Sequence, residues 1–384
     1  MNAEGQLFER TRHFSETMRI GVNGRTFSVD EPRGSVQASI EFVRALAERP
    51  ETDVVVFAHK SAREHFRDIN VVAPWSAPRS QSLGLVWEQS ELPRLATRQD
   101  IDLLLCPNSD GPVRRLDVPT IVRLHDVFGY VGYGPRLYTL LQQFRVPRMV
   151  DVADLLLTPS RYTASTIRSR LDADTPTEVV HNGLDEMYHD VGDGRPVDLP
   201  ENFALYVGGN EPRKNVATLV EGFAEFRSAL CMDYELVTVG PKARYIENSN
   251  GQTLSGDAVK VLGYLTPQEL LFVYQQADVF LFPSLEEGFG LPPLEAMACR
   301  TPVISANRPA MTELLNEYVE FVDPTDPSDI AHCLAETLQS PPDDDALDRA
   351  REYATSFDWG RAAADTVETL EQHFGFGEGR GSVR

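Results

Sequence analysis

The stretch Phe280–Pro302, FLFPSLEEGFGLPPLEAMACRTP, decides the architecture. An apolar run leads into Pro283 and Ser284 and reads as a buried strand. It opens into the loop Glu286-Glu287-Gly288-Phe289-Gly290-Leu291, and a helix follows whose first turn holds Pro292, Pro293 and Glu295. Proline suits a helix start, where the backbone N–H has no intrahelical partner. Gly288 and Gly290 let the backbone approach a ligand and aim N–H groups at it. A helix N-terminus behind such a loop attracts an anion. Glu287 and Glu295, eight residues apart, put one carboxylate on each side of the loop, each able to accept from a hydroxylated group. The plainer alternative is a strand-to-helix turn in which Glu295 only complements the helix dipole.

The same strand-then-helix rhythm runs outward in both directions. Upstream, Met18–Val22, Thr52–Phe57, Ile101–Cys106, Thr120–Leu124, Leu155–Thr158 and Glu178–Val180 read as strands, with Val36–Ala47, Gln89–Arg98 and Ala164–Leu171 as helices. Around the central stretch, Phe203–Val207, Glu235–Val239, Val259–Leu262, Val279–Phe282 and Pro302–Ser305 read as strands. Val216–Leu230, Pro267–Gln276, Pro293–Cys299 and Ile330–Leu338 read as helices. Continuous apolar, β-branched runs separated by helices indicate parallel sheets buried on both faces. Two such sets predict an α/β chain of two doubly wound, Rossmann-like domains facing an interdomain cleft, with ligands at the carboxyl ends of the strands.

The break falls at Asp190–Leu199, which carries Gly, Pro and charge but little that packs. The predicted organisation is a polar extension over 1–17, one domain over 18–195, a second over 196–358, a helix over 359–374 that packs back on the first domain, and a disordered tail over 375–384. Charge shifts at the same break. Residues 1–195 hold 23 Lys+Arg against 27 Asp+Glu, and residues 196–384 hold 13 against 31.

A net charge of −22 disfavours a nucleic-acid partner but not a small phosphorylated ligand, which needs only a few placed cations. Just four basic residues are Lys: Lys60, Lys214, Lys242 and Lys260. Cys106, Cys231, Cys299 and Cys333 are far apart and form no metal or disulfide pattern. With no apolar leader and no run of 18 apolar residues, a cytoplasmic location is expected.

The pattern E-x7-E within EGFGLPPLEAMA, followed by PVI, resembles the signature of glycosyltransferase family 4, the retaining nucleotide-sugar transferases of GT-B fold. The resemblance extends through Tyr206-Val207-Gly208-Gly209, Pro212-Arg213-Lys214-Asn215, Gly263–Asp278 and Val322-Asp323-Pro324. In the first half it takes in Trp87-Glu88-Gln89, Leu124-His125-Asp126, Thr158-Pro159-Ser160 and His181-Asn182-Gly183-Leu184-Asp185. It implies that Glu295 holds the ribose of a UDP-, GDP- or ADP-sugar, that Glu287 binds the transferred sugar, and that amides of Gly288, Phe289, Gly290 and Leu291 meet sugar and diphosphate. Lys214 would pair with the diphosphate as negative charge develops on it. The family commonly has Arg where this chain has Gly209, and Arg213 is the candidate replacement if it points the same way. Gly34 would approach the donor phosphates and His125 the transferred sugar, while Asn182 and Gly183 shape the cleft wall.

Three other features have competing explanations. Asp172-Ala173-Asp174 fits a metal-binding D-x-D, but its polar setting favours a solvated loop. Arg300 occupies a position usually held by Gly, so the preceding helix ends without its left-handed glycine or bends differently. Residues 130–150 combine aromatics and Leu with Arg136, Arg145 and Arg148. They are either an acceptor or membrane-surface contact, or a core-facing helix with snorkelling arginines.

The resemblance as a whole implies a retaining hexosyl-type transferase that needs neither metal nor cofactor and acts on a glycan or lipid-linked saccharide. The rival expectation, kept open by Gly209 and Arg300, is a catalytically silent GT-B subunit that binds a glycan or a partner.

Overall fold

The computed structural model describes residues 17–29, 34–74, 76–79, 81–131, 136–189, 192, 194–230, 233–240 and 258–376. The extension before Thr17, the tail after Phe376, Cys231, residues 132–135 and part of the 190–199 break lie outside the described residues.

Thirteen strands appear among the described residues. They are β1 (Met18–Asn23), β2 (Thr52–Phe57), β3 (Asn70–Val72), β4 (Leu103–Cys106), β5 (Thr120–Arg123), β6 (Leu155–Thr158), β7 (Thr177–Val179), β8 (Phe203–Val207), β9 (Glu235–Val239), β10 (Val259–Gly263), β11 (Val279–Phe282), β12 (Val303–Ala306) and β13 (Glu320–Val322). They form a seven-stranded sheet, β3-β2-β1-β4-β5-β6-β7, and a six-stranded sheet, β10-β9-β8-β11-β12-β13. The helices are α1 (Ser35–Ala47), α2 (Gln81–Ser90), α3 (Leu92–Arg98), α4 (Phe128–Val131), α5 (Arg136–Val152), α6 (Arg161–Leu171), α7 (Val216–Leu230), α8 (Pro267–Gln276), α9 (Leu291–Ala298), α10 (Pro309–Leu315), α11 (Pro327–Gln339), α12 (Asp344–Thr355) and α13 (Trp359–Phe374).

The chain groups into two compact units. One comprises Met1–Val122, Val152–Asp154 and Ala363–Arg384, and the other Arg123–Asp151 and Leu155–Ala362. In the first, the end of β1 meets a buried polar network. Asn23 donates to the Glu88 carboxylate at 2.8 Å, and Arg25 lies 3.6 Å from Glu88 and 3.3 Å from Asp110. The Glu of the Trp87-Glu88-Gln89 motif is thus fully buried and ion-paired, as a buried charge must be.

In the second unit, alternate residues of each six-stranded-sheet strand face opposite cores. Phe203, Leu205, Phe280 and Phe282 join one apolar cluster, with Leu294 and Met297 of α9. Ala204, Tyr206, Val279 and Leu281 join the other, with Leu219 and Phe223 of α7. This period of two, with helices on both faces, is why β8 and β11 are apolar throughout. The helix α8 starts on a capping box. Thr266 accepts from the Glu269 N–H, the Glu269 carboxylate accepts from the Thr266 N–H, and Pro267 opens the first turn.

The structure departs from the sequence expectations at edges and breaks. The strands β3 and β13 were not expected; both are three residues long and partly exposed at sheet edges, too short to show periodicity. The expected helix Gln89–Arg98 is two helices divided at Glu91, with Pro93 in the first turn of α3. The acidic stretch before the last helix is itself the start of α12. Asp343 accepts from the Ala346 N–H at 2.8 Å, and Asp344 and Asp345 sit where the helix dipole favours negative charge.

Arg300 is explained by α12. It adopts the left-handed conformation itself, at φ 62°, and its guanidinium lies 2.7 Å from Asp344 and 2.8 Å from Asp348, one turn apart. Arg300→Gly relieves about 1 kcal/mol of left-handed strain. It also forfeits two exposed ion pairs worth a few tenths to about 1 kcal/mol each. The expected outcome is near-neutral stability by urea unfolding. Arg300→Ala keeps the strain and loses the pairs, and its expected cost is about 1 kcal/mol.

Candidate functional site

In the six-stranded sheet the strand order reverses between β8 and β11, so the segments leaving these two neighbours diverge and open a crevice at their carboxyl ends. The segment after β8 runs through Gly208 and Gly209 into a single 3-10 turn, Pro212–Lys214. It ends on Asn215 in the left-handed conformation, φ 58°, before α7. The Asn215 side chain donates to the carbonyls of Pro283 and Pro324 and accepts from Thr218, while the Leu285 N–H donates to the Arg213 carbonyl at 2.7 Å. These bonds fasten the turn to the loop that follows β11.

The result is one tight cluster of charge. The Lys214 ammonium lies 2.6 Å from Oε1 of Glu287, and the Arg213 guanidinium donates to the same oxygen at 3.0 Å. Arg213 also stacks over the Phe128 ring at 4.8 Å, and the Lys214 ammonium lies 5.2 Å from the Phe282 ring centre. Arg213 therefore points into the site beside Lys214. Burial opposes ionisation of Glu287, but Lys214 and Arg213 outweigh it and hold the carboxyl below its ordinary range. Two cations thus share one carboxylate oxygen.

The loop carrying Glu287 is clamped from several sides. Ser160 and Thr163, at the start of α6, donate to the Gly288 carbonyl at 2.7 and 3.2 Å, and the Tyr162 hydroxyl donates to Glu286 at 3.3 Å. A Cβ on Gly288 would fall 2.0 Å from the His125 carbonyl oxygen, and one on Gly290, at φ 95°, would fall 2.7 Å from the end of Met311. Gly288 is thus demanded by a close backbone neighbour and Gly290 by its left-handed φ. Phe289 is buried and meets Phe357 edge-on at 5.6 Å, so its side chain serves the core; Leu291 packs half-buried against the same core.

His125 sits in a buried turn after β5, with its carbonyl oxygen facing Gly288. Its neighbour Asp126 accepts from the Phe128 N–H at 2.9 Å and so opens α4. Burial pushes the Asp126 carboxyl up, and Arg213 pulls it the other way, so Asp126 belongs electrostatically to the cluster. Sequence reasoning treated it only as a flanking residue; its adjacency to His125 was the available signal. Gly209 lies where a Cβ would fall 2.2 Å from the Glu211 carboxylate, and its carbonyl accepts from Tyr206 at 2.7 Å.

Glu295, on α9, stays partly open to solvent and accepts from the buried Tyr274 hydroxyl at 2.8 Å. Burial of the carboxyl, opposed by that hydrogen bond, pushes it up to about 7. Gly34, in the first unit, precedes α1 at φ 53° with no neighbour that a Cβ would touch, so backbone conformation is its demand for glycine. Asn182 accepts from the buried Arg123 guanidinium at 2.8 Å, and Gly183 lies against the Trp359 backbone. Asp172 is the left-handed C-cap of α6, at φ 49°. Among the described residues, no three His, Cys, Asp or Glu side chains form a cluster suited to a metal ion.

Residues 32–187 match the family described as Glycosyltransferase Family 4, and residues 194–357 match the one described as Glycosyl transferases group 1. Between them the two matches take in most of the chain, and the protein belongs to glycosyltransferase family 4. It is 31% identical over 182 residues to the O-antigen chain mannosyltransferase B of Escherichia coli, which is 44% of this chain and 46% of that protein. It is 25% identical over 343 residues to the O-antigen chain mannosyltransferase RfbU of Salmonella typhimurium, 85% of this chain and 92% of that protein. The chain spans less than half the length of several of the relatives it matches. Sucrose-phosphate synthase of Thermosynechococcus elongatus has the same fold, with a TM-score of 0.73 at 19% identity over 93% of this chain and 99% of that one. The fold is GT-B.

Gly288→Ala tests the clamp. The added methyl group meets a backbone oxygen that cannot swing aside, so the expected cost is about 1–3 kcal/mol of unfolding free energy, read from the urea midpoint. An unchanged midpoint would show that the loop has room the geometry denies.

Proposed function

We propose that the protein is a retaining glycosyltransferase that moves a hexose-type sugar from a nucleoside-diphosphate sugar to a glycan or lipid-linked saccharide. The observation that carries this reading is the pairing of Lys214 and Arg213 on Glu287 at the β8/β11 crevice, immediately before the N-terminus of α9. Two cations and a helix N-terminus suit a diphosphate, and their charge matters most as the diphosphate leaves. The names of the two relatives favour mannose as the sugar to test first.

In the reaction, the bond from the sugar C1 to the β-phosphate oxygen breaks and a bond from C1 to the acceptor oxygen forms on the same face. The acceptor proton passes to the departing phosphate, and the nucleoside diphosphate leaves. Glu287 is a poor nucleophile while two cations hold its charge, which favours a route without a covalent sugar–enzyme bond. Its remaining capacity is to accept from sugar hydroxyls. Lys214 and Arg213 take the leaving-group charge, so the reading requires neither a metal ion nor a cofactor.

The helix α5 supports a lipid-linked acceptor at the cytoplasmic face of a membrane. Leu140, Leu141 and Phe144 are exposed, flanked by exposed Arg136 and Arg148, with Arg148 stacked on Phe144 at 3.7 Å. Arg145 is buried, while Arg136 and Arg148 keep their charged ends on this outer face. No helix among the described residues is long and apolar enough to cross a membrane.

Binding of UDP, GDP and ADP and of their mannose and glucose conjugates, followed by thermal shift with and without chelator, tests the donor site. A shift with one nucleotide, retained in chelator and lost in Lys214→Ala, is expected. Transfer in Lys214→Ala or Glu287→Ala is expected to fall by about ten- to a hundredfold or more, if a lost charged contact is worth roughly 3 kcal/mol. No shift with any nucleotide would favour a silent, glycan- or partner-binding subunit. Sedimentation with anionic and neutral vesicles tests α5: Phe144→Ser together with Arg148→Ser should abolish binding to the anionic ones, and equal binding by the variant would remove α5 from the membrane contact.

A further inference from the structure

Glu295 is a carboxylate with two oxygens, and the structure has already committed one of them. Tyr274, on α8, donates its hydroxyl to Oε2 of Glu295 at 2.8 Å. The Tyr274 ring is fully buried and held by edge-on contacts with Phe280 at 5.6 Å and Tyr188 at 6.3 Å. Its own carbonyl accepts from Thr301 at 2.6 Å. A ring gripped in this way has no freedom to release its hydroxyl to solvent. Glu295, in contrast, keeps part of its surface open. A buried, immobile donor thus backs a reachable acceptor.

We infer that Tyr274 is a positioning residue for nucleotide binding: it occupies Oε2 of Glu295, leaves Oε1 to accept from the ribose hydroxyls, and so couples donor affinity to pH. This rests on the functional reading above and on the ribose contact at Glu295 that the family resemblance implies, but the Tyr274–Glu295 couple is a property of the free protein.

The coupling follows from the groups around Glu295. Tyr274 faces it from α8, Asp185 and Tyr188 from the segment after β7, and Cys299 from its own helix, with Arg351 of α12 beyond Cys299. Burial is the dominant influence and raises the carboxyl to about 7; Asp185 pushes the same way, and only the Tyr274 hydrogen bond opposes them. Ribose hydroxyls donate best to the ionised form, so affinity falls as pH drops through that midpoint. Removing the one group that favours ionisation moves the midpoint further up. At pH 7 an upward move of about one unit takes the ionised fraction from roughly a half to roughly a tenth, a loss of about fivefold in donor affinity.

Tyr274→Phe keeps the ring and removes only the donor. In the ligand-free protein, the Glu295 carboxyl is titrated by carbon-13 NMR with glutamate labelling, its signal assigned by loss in Glu295→Gln. The expected midpoint is near 7 in the parent and about one unit higher in Tyr274→Phe. Donor affinity at pH 7 is expected to be about fivefold weaker in Tyr274→Phe and to converge with the parent at pH 9. An unmoved midpoint, or a loss of affinity equal at every pH, would show that Tyr274 only packs and would overturn the proposal. A moved midpoint in a protein that binds no nucleotide would uphold the couple and instead bring down the functional reading.

Discussion

Everything in the crevice depends on one carboxylate oxygen shared by two cations. Alone, Lys214 and Arg213 would repel each other at the end of a buried sheet, and Glu287 alone would be an ion stripped of water. Together they neutralise most of their charge. The arrangement exists because β8 and β11 are neighbours with divergent exits. It is rigid because Asn215, in a left-handed turn, bonds to both Pro283 and Pro324. Fold, loop and charge are therefore one constraint: loosening the turn at Asn215 would separate the cations from the carboxylate before any ligand arrived.

Much of this was legible in the sequence, and the part that was not has a common physical cause. Parallel buried strands announce themselves because both of their faces must be apolar, so Leu103–Cys106, Leu155–Thr158 and Val279–Phe282 leave no ambiguity. Lys214 and Glu287 were nominated by their motifs, but their contact depends on two segments more than 70 residues apart in sequence meeting at a reversal of strand order. The direction of Arg213 depends on a 3-10 turn that no periodicity encodes. The close neighbours of Gly288 and Gly290 could not be read for the same cause: a carbonyl from His125 and a methionine from α10 are tertiary neighbours, invisible along the chain. Asp343–Asp345 hid the start of α12, since an acidic cluster reads as loop unless the helix behind it is known.

The two departures from the family pattern turn out to be different in kind. Arg300 is a local exchange, in which the strain of a left-handed arginine is offset by pairs to Asp344 and Asp348. At Gly209 the chain carries no side chain, and its carbonyl accepts from Tyr206. The cation that stands beside Lys214 on Glu287 is Arg213, steadied on the Phe128 ring. A guanidinium held flat against an aromatic face and bonded to Glu287 is pre-organised, so little ordering cost remains when an anion binds.

The two glutamates flanking the loop have been driven apart electrostatically although they lie on the same loop-helix unit. Glu287 is half of a contest between burial and two cations, and the cations win, so it is an anion throughout the physiological range. Glu295 faces the same burial with only a hydroxyl for support, and burial wins, lifting it to about 7. Carboxyls pushed in opposite directions mark divided roles. A fixed anion suits recognition that must not vary, such as accepting from hydroxyls while the leaving charge is handled next door. A carboxyl balanced near neutrality suits recognition that can be gained and released. Because the balance at Glu295 rests on a single neutral donor, Tyr274, small changes in its packing against Tyr188 and Phe280 would be felt directly at the Glu295 carboxyl, without disturbing the charge cluster around Glu287.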